Sequence, residues 1–207
     1  MNTIHPVADK IVASLRGSGR GYVFNSADFS ELASRSALDK ALSRLALQGV
    51  IRRLAYGLYH FPRINPKLGG VLNPLADAVA QAVARKTDSR VIPSGAMAAN
   101  VLGFSTQVPA KAIYLTDGPS RHIRYGSQTI IFKHAAPRTM AVSGRTSAVI
   151  FQALRYAGHE GVTDTMVRKL GRELSARDKQ VLKRDMRHAV AWMRPFLSRI
   201  IGEAEKK

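Results

Sequence analysis

Residues 34–62 read SRSALDKALSRLALQGVIRRLAYGLYHFP, and this stretch decides the fold. Leu38, Leu42 and Leu45 repeat with the spacing of one helix face, which predicts an amphipathic helix. Ser34 stands where a helix cap is expected, because a serine oxygen accepts hydrogen bonds from the first backbone N–H groups of a helix. Gly49 stands where the helix is expected to end.

A short hairpin is predicted directly after this helix. Val50, Ile51 and Leu54 flank the basic pair Arg52-Arg53, and the segment at residues 58–61 returns after a turn. The turn contains Gly57, which can adopt the positive φ that short hairpin loops need. The order of a helix, a glycine and a basic hairpin is typical of a recognition helix followed by a β-wing.

The upstream residues supply the rest of a winged helix-turn-helix. Residues 4–16 predict a first helix, and the segment SADFSELA at residues 26–33 predicts a second helix, capped by Asn25 or Ser26. A tight turn then leads to the helix at residues 34–48. The alternative is an ordinary helix and hairpin with a solvated basic face.

Composition favours the DNA-binding interpretation. The 207 residues include 32 Lys and Arg against 14 Asp and Glu, which gives a formal net charge of +18. The excess is spread along the chain, and it predicts attraction to polyanions, with nucleic acid the first candidate. The sequence has neither the long apolar run of a membrane span nor the basic-then-apolar start of a signal peptide, and it has no cysteine. We therefore expect a cytoplasmic protein that does not enter a membrane.

The sequence offers no enzyme motif. The carboxylates are scattered, the six histidines are isolated, and neither a phosphate-binding glycine loop nor a G-x-S-x-G elbow occurs. The sequence therefore predicts a non-enzyme with no catalytic residue, no metal site and no cofactor.

We predict an α+β chain of two domains. Residues 1–65 form the winged helix-turn-helix, and residues 66–207 form an α/β domain that becomes helical from about residue 145. The linker at residues 62–73 is rich in proline and glycine, and Asn73-Pro74 is expected to open the next helix. In the last third, one long helix is expected over residues 175–201, with a kink at Pro195.

The candidate DNA contacts lie on the recognition helix and on the wing. On the helix they are Arg35, Ser36, Asp39, Lys40, Ser43 and Arg44. On the wing and just after it they are Arg52, Arg53, Tyr56 and Arg63.

A second basic surface is predicted in the later domain, able to bind a nucleic acid or an acidic protein. It consists of Arg121, His122, Arg124 and Arg138. The cations of the late helices are a second candidate for such a surface, although a solvated face is the favoured interpretation for them. They are Arg168, Lys169, Arg172, Lys183, Arg184 and Arg187.

The chain resembles the AbiEi-type antitoxins of bacterial abortive-infection (type IV) toxin–antitoxin systems. The resemblance covers about residues 4–135 and rests on two segments. These are the stretch GYVFNSADFSELASRSALDKALSRLALQGVIRRLAYGLYHFP at residues 21–62 and IPSGAMAANVLGFSTQVPAKAIYLTDG at residues 92–118. Members of that family join an N-terminal winged helix-turn-helix to a C-terminal antitoxin domain, but this chain is shorter than the larger members.

The resemblance implies a function and two partners. The first is double-stranded DNA, as inverted repeats in the protein's own promoter, which the protein would occupy to repress its operon. The second is a cognate nucleotidyltransferase-like toxin, encoded alongside, which the antitoxin would neutralise. Two alternatives stay open, namely a stand-alone winged-helix regulator and an antitoxin that acts by direct protein–protein binding. The oligomeric state is also open.

Overall fold

The computed structural model describes residues 6–65, 70–107 and 111–203. Within these ranges the chain mixes helices with small β-sheets, so the α+β class is confirmed. Two compact units are present: unit 1 comprises Met1–Ser89 and His122–Ile130, and unit 2 comprises Arg90–Arg121 and Ile131–Lys207. In the part of the chain that is described, no helix has the length and apolar character needed to cross a membrane.

Unit 1 begins with three helical segments and a small sheet. Its elements are α1 (Pro6–Ser18), β1 (Val23–Phe24), a 3₁₀ turn (Ser26–Phe29), α2 (Arg35–Leu47), β2 (Arg52–Ala55), β3 (Leu58–His60), β4 (Ile64–Asn65), β5 (Gly70–Val71) and α3 (Ala76–Lys86). The main sheet has the strand order β1-β3-β2, and β4 pairs with β5. Strand β3 is central, so His60 lies between Val23 of β1 and Arg52 of β2.

The core of unit 1 forms between α1, α2 and this sheet. Ile11 and Leu15 of α1 meet Leu38 and Leu42 of α2, and Phe24 stacks with Tyr59 at 5.9 Å between ring centroids. Each of the two helices therefore buries one stripe and leaves its opposite side to solvent.

Unit 2 consists mostly of helices. Its elements are β6 (Val91–Pro93), α4 (Gly95–Val101), β7 (Ala112–Thr116), α5 (Pro137–Met140), α6 (Arg145–Ala157), α7 (Asp164–Glu173), α8 (Ala176–Asp185) and α9 (Arg194–Ile201). Strands β8 (Arg121–Tyr125) and β9 (Gln128–His134) have residues in both units, and the sheet order is β6-β7-β9-β8. The main core of unit 2 includes Ile150, Leu154, Leu170, Leu182 and Leu197.

Three local predictions were wrong. The segment at residues 26–33 contains only a four-residue 3₁₀ turn, which starts after a reciprocal cap between Asn25 and Asp28 and ends at Phe29. Helix α3 begins at Ala76 rather than directly after Asn73-Pro74. The expected long C-terminal helix breaks between Asp185 and Arg194, where Ala189 and Val190 have extended backbones, and Pro195 lies in the first turn of α9, where proline is tolerated.

The predicted linker contains structure of its own. Part of it, residues 66–69, lies outside the described residues, as do residues 4 and 5 of the predicted first helix. Strands β4 and β5 occupy described residues of this linker. The compact unit continues through α3 to Ser89, beyond the predicted boundary at residue 65, because α3 packs against β1 and the 3₁₀ turn.

Candidate nucleic-acid interface

Helix α2 presents one polar, mostly basic face. Its apolar residues Leu38, Ala41, Leu42 and Leu45 are buried in unit 1. The Ser34 hydroxyl caps the helix by accepting from Ala37 N at 3.5 Å, which is a long hydrogen bond. All six candidate residues on the helix are exposed on the remaining surface, namely Arg35, Ser36, Asp39, Lys40, Ser43 and Arg44.

Two of these six candidates interact with each other. Arg35 Nε lies 4.0 Å from Asp39 Oδ2, and the two side chains are 84% and 55% exposed. An exposed pair at i, i+4 is worth only a few tenths of a kcal/mol (about 0.3–0.5), so Arg35 can exchange this carboxylate for a phosphate or a base. Asp39 itself would repel a phosphate, and it suits a base amino group instead.

The β2–β3 hairpin lies beside the C-terminal half of α2. A groove between them is lined by Ser43 and Leu47 of α2, by Arg52 and Arg53 of β2, and by Val71 of β5. Candidate residues from the helix and from the hairpin therefore share one concave surface of unit 1.

The hairpin turn carries an exposed aromatic ring with two cations beside it. Tyr56 is 83% exposed. The Arg53 guanidinium carbon lies 5.8 Å from the centroid of the Tyr56 ring, and Lys86 Nζ of α3 lies 5.3 Å from it. Lys86 Nζ also donates to the Tyr56 carbonyl oxygen at 2.8 Å. No local signal in the sequence indicates the contribution of Lys86, because 30 residues separate it from Tyr56.

The remaining hairpin cations have local contacts. Arg52 Nη1 donates to Asn73 Oδ1 at 3.3 Å, although Arg52 stays exposed. Arg63 is exposed and lies beside Gly21, close enough for its guanidinium to pack against that backbone. A further cation, Arg20, donates to Pro62 O at 3.0 Å and lies over the Phe61 ring.

His60 is a buried residue of the hairpin strand β3. Its side chain is almost fully enclosed, and neither ring nitrogen has a hydrogen-bond partner. Burial lowers its pKa to about 4, and the nearby charges of Arg52 and Arg63 act in the same direction. The ring is therefore neutral at pH 7 and adds no charge to the interface.

Helix α3 is tied to the start of unit 1 by Arg85. Arg85 Nε and Nη2 donate to the two carboxylate oxygens of Asp28 at 2.8 and 3.2 Å, and Nη2 also donates to Val23 O at 2.9 Å. Asn25 Nδ2 adds a bond to Ala82 O at 3.2 Å. These contacts bring Lys86 to the hairpin turn, and no local sequence signal indicates a pairing across 57 residues.

The second basic surface is divided between the two units. His122 and Arg124 of β8 are exposed and belong to unit 1, whereas Arg121 and Arg138 belong to unit 2. Arg121 is only half-exposed, and Arg138 is exposed on the short helix α5. The four residues therefore do not form one surface within either unit.

Within the described ranges, no group of three or more His, Asp or Glu side chains is arranged to hold a metal ion. One carboxylate of unit 2, that of Asp185, instead stabilises the fold. Asp185 is buried and accepts from Ser143 Oγ at 2.7 Å and from the backbone N–H groups of Ser143 and Gly144 at 3.2 and 2.9 Å.

Comparison with known proteins gives a family without an assigned activity. No curated protein sequence matches the chain. The profile of a family described as a family of unknown function (DUF6088) matches residues 10–182, and the chain therefore belongs to that family.

Proposed function

We propose that the protein is a DNA-binding regulator whose unit 1 acts as a winged helix-turn-helix. In this proposal α2 is the recognition helix in the major groove, and the β2–β3 hairpin is the wing that follows the backbone. The observation that carries the proposal is the groove in which Ser43 of α2 meets Arg52 and Arg53 of β2, next to a helix face whose polar side chains are all exposed. The net charge of +18 supports a polyanionic partner.

The candidate residues divide by chemistry into those that read bases and those that hold the backbone. Arg35 can donate two hydrogen bonds to guanine, and Asp39 can accept from a cytosine amino group. Lys40, Arg44, Arg53 and the hydroxyls of Ser36 and Ser43 can bind phosphate oxygens or base edges. In a palindromic operator, two copies of the protein would lie about one helical turn, or roughly 34 Å, apart.

We further propose, from the resemblance to AbiEi-type antitoxins, that the protein represses its own operon and neutralises a nucleotidyltransferase-like toxin. Unit 2 would supply the antitoxin activity. Co-expression with the product of the adjacent reading frame tests this part: growth that only the intact protein restores supports it. Retention of that product on the purified protein would favour direct protein–protein binding, and an adjacent frame without toxicity would favour a stand-alone regulator.

A gel-shift titration tests the DNA-binding part. The full chain is titrated onto its own upstream DNA and onto scrambled DNA of equal length, at two salt concentrations. We expect a preference for the upstream DNA that survives the higher salt, because base contacts are less sensitive to salt than phosphate contacts. Equal binding to both DNAs that disappears at the higher salt would mean that non-specific attraction by the net charge explains the binding, and it would contradict the proposal.

Point variants of the full chain locate the reading surface better than a deletion of residues 1–65. Such a deletion would remove β1 and Asp28, which α3 contacts, and so would disturb the remaining fold. We expect R35M to lower affinity for the upstream DNA by roughly 1–3 kcal/mol and to reduce the preference over scrambled DNA. Arg184, which is exposed on α8 of unit 2, gives the matched control R184M, and we expect little change there.

A further inference from the structure

The tip of the β2–β3 hairpin is unusual because a large ring stands almost fully in solvent. Tyr56 is 83% exposed, and it follows a strand with a register shift between Arg53 and Ala55. A short turn of this kind loses considerable conformational freedom when it is fixed. The ring therefore needs a specific support if it is to keep one orientation.

Lys86, from the last turn of α3, supplies that support. Its ammonium donates to the carbonyl oxygen of Tyr56 at 2.8 Å and lies 5.3 Å from the centroid of the same ring. Gly57 has φ +63°, and a Cβ at this position would lie 2.8 Å from Lys86 Nζ. The turn therefore has both the backbone freedom and the space that the lysine contact requires.

The backbone that carries Lys86 is itself held in place. The preceding residue, Arg85, is held by both oxygens of Asp28 and by Val23 O, so the end of α3 has a defined position in unit 1. A series of contacts therefore connects the 3₁₀ turn to Arg85, and the adjacent Lys86 to Tyr56. On the other side, Arg53 lies 5.8 Å from the Tyr56 ring.

We infer that Lys86 is a positioning residue of the DNA-binding site: its ammonium fixes the hairpin turn so that Tyr56 and Arg53 meet the sugar–phosphate backbone together. This inference rests on the proposed function. Tyrosine hydroxyls and arginine guanidinium groups are both regular donors to phosphate oxygens, and fixing them in advance lowers the entropic cost of binding. Lys86 acts through Tyr56 and Arg53 rather than as a separate phosphate contact.

A double-mutant cycle separates these roles, because residues that act through one another have effects that do not add. The affinities of the wild type, K86M, the double variant R53M/Y56A and the triple variant are measured on the upstream DNA. Methionine removes the ammonium but keeps the length of the side chain. K10M, at an exposed position of α1 in the same unit, is the control for loss of one positive charge.

We expect K86M to weaken binding about tenfold in the wild-type background and less than about twofold in the R53M/Y56A background. K10M should weaken binding less than about twofold in either background, and K86R should restore most of the affinity, since arginine keeps a donor and a charge. An unchanged tenfold loss in the R53M/Y56A background would make Lys86 an independent phosphate contact and would overturn the inference.

A second measurement tests the contact without DNA. In the free protein, the NMR signals of the Lys86 Hε protons should show an upfield ring-current shift from Tyr56, and the shift should disappear in Y56A. Absence of the shift in the wild type would also overturn the inference. The two proposals can fail separately. A wild type with no preference for its upstream DNA overturns the proposed function and the role of Lys86, whereas a clear preference with K86M equal to K10M overturns only the role of Lys86.

Discussion

In unit 1 the cations of α2 and of the β2–β3 hairpin extend into solvent, whereas several cations of unit 2 lie against oxygen atoms of their own unit. Arg90 donates to the carbonyl oxygens of Met140 and Val142, and Lys169 donates to Leu102 O at 2.8 Å. Arg199 pairs with Asp164 at 2.5 Å. The same residue types therefore extend into solvent on α2 and the hairpin and form structural contacts at these positions of unit 2, which composition alone does not reveal.

The buried titratable groups of the two units differ in the same way. Asp185 of unit 2 accepts hydrogen bonds from Ser143 and Gly144, whereas His60 of unit 1 has no partner at either ring nitrogen. Burial opposes the charge of Asp185, but the hydrogen bonds outweigh it and hold the pKa of this carboxyl below its ordinary value. The pKa of His60 is lowered to about 4, chiefly by burial.

The largest effect is expected at Asp185. D185A should lower the free energy of unfolding by roughly 3 kcal/mol, because it leaves two backbone N–H groups at the start of α6 without their acceptor. Urea unfolding followed by circular dichroism measures the loss. E173A, at an exposed position of α7, is the control and should change stability by less than about 0.5 kcal/mol. Equal effects of the two substitutions would show that the hydrogen bonds accepted by Asp185 do not stabilise the fold.

His60 should make the stability of unit 1 depend on pH, in a higher pH range than Asp185 does for unit 2. The folded-state pKa of about 4 lies below the ordinary value of 6.5, so the unfolded chain binds the proton more strongly. The contribution of His60 to the free energy of unfolding is therefore fully present above about pH 6.5. It falls as the pH drops towards 4, and the loss is about 2–3 kcal/mol at pH 4.5. The pKa of Asp185 is also lowered, so its contribution to stability has the same sign as that of His60, but it is present above pH ~4 and is lost only below that value.

Urea titrations at pH 7 and pH 4.5 measure this effect. H60L removes the titrating group, so the loss between the two pH values should shrink to that of the other groups. A wild type and an H60L variant with the same loss would mean that folding does not lower the pKa of His60. H122L, which removes an exposed histidine of β8, is the matched control.

The sequence predicts the helix and the hairpin of residues 34–61 well, because their signals are local. The helix expected at residues 34–48 is α2, with Ser34 as its cap, and the expected hairpin is β2 and β3. The spacing of Leu38, Leu42 and Leu45 is enough to assign the buried side of α2 and therefore the exposed side as well. Whether that exposed side binds DNA stays a prediction.

The long-range contacts of the candidate site could not be predicted. Asp28 and Arg85 are 57 residues apart, and nothing in either neighbourhood indicates the other. Lys86 reaches the hairpin turn only because Arg85 fixes the end of α3. Similarly, the periodic apolar residues after Ser175 predicted one long helix, but the chain turns after Asp185, whose carboxylate binds the start of α6.

Arg85 is the cation of unit 1 that most resembles those of unit 2. Its hydrogen bonds with Asp28 raise its pKa, although its partial burial acts in the opposite direction. We expect R85M to destabilise the protein by about 1–2 kcal/mol, since it leaves a largely buried carboxylate without its partner. R35M removes only an exposed pair and should cost less than about 0.5 kcal/mol. Equal losses of unfolding free energy for R85M and R35M would contradict the distinction between structural and solvent-exposed cations within unit 1.

The smallest effect is expected at the positive-φ glycines. Gly57 of the hairpin turn has φ +63°, and Gly158, which follows α6 in unit 2, has φ +71° with no atom near its missing side chain. Alanine at either position should cost about 1 kcal/mol, because a side chain strains this backbone conformation. At Gly57 the new methyl group would also displace the Lys86 ammonium. G57A should therefore weaken DNA binding as well, whereas G158A should lower only the urea midpoint. If both variants bind the upstream DNA as the wild type does, the turn does not contribute to binding, and the difference between the two units reduces to how their charges are paired.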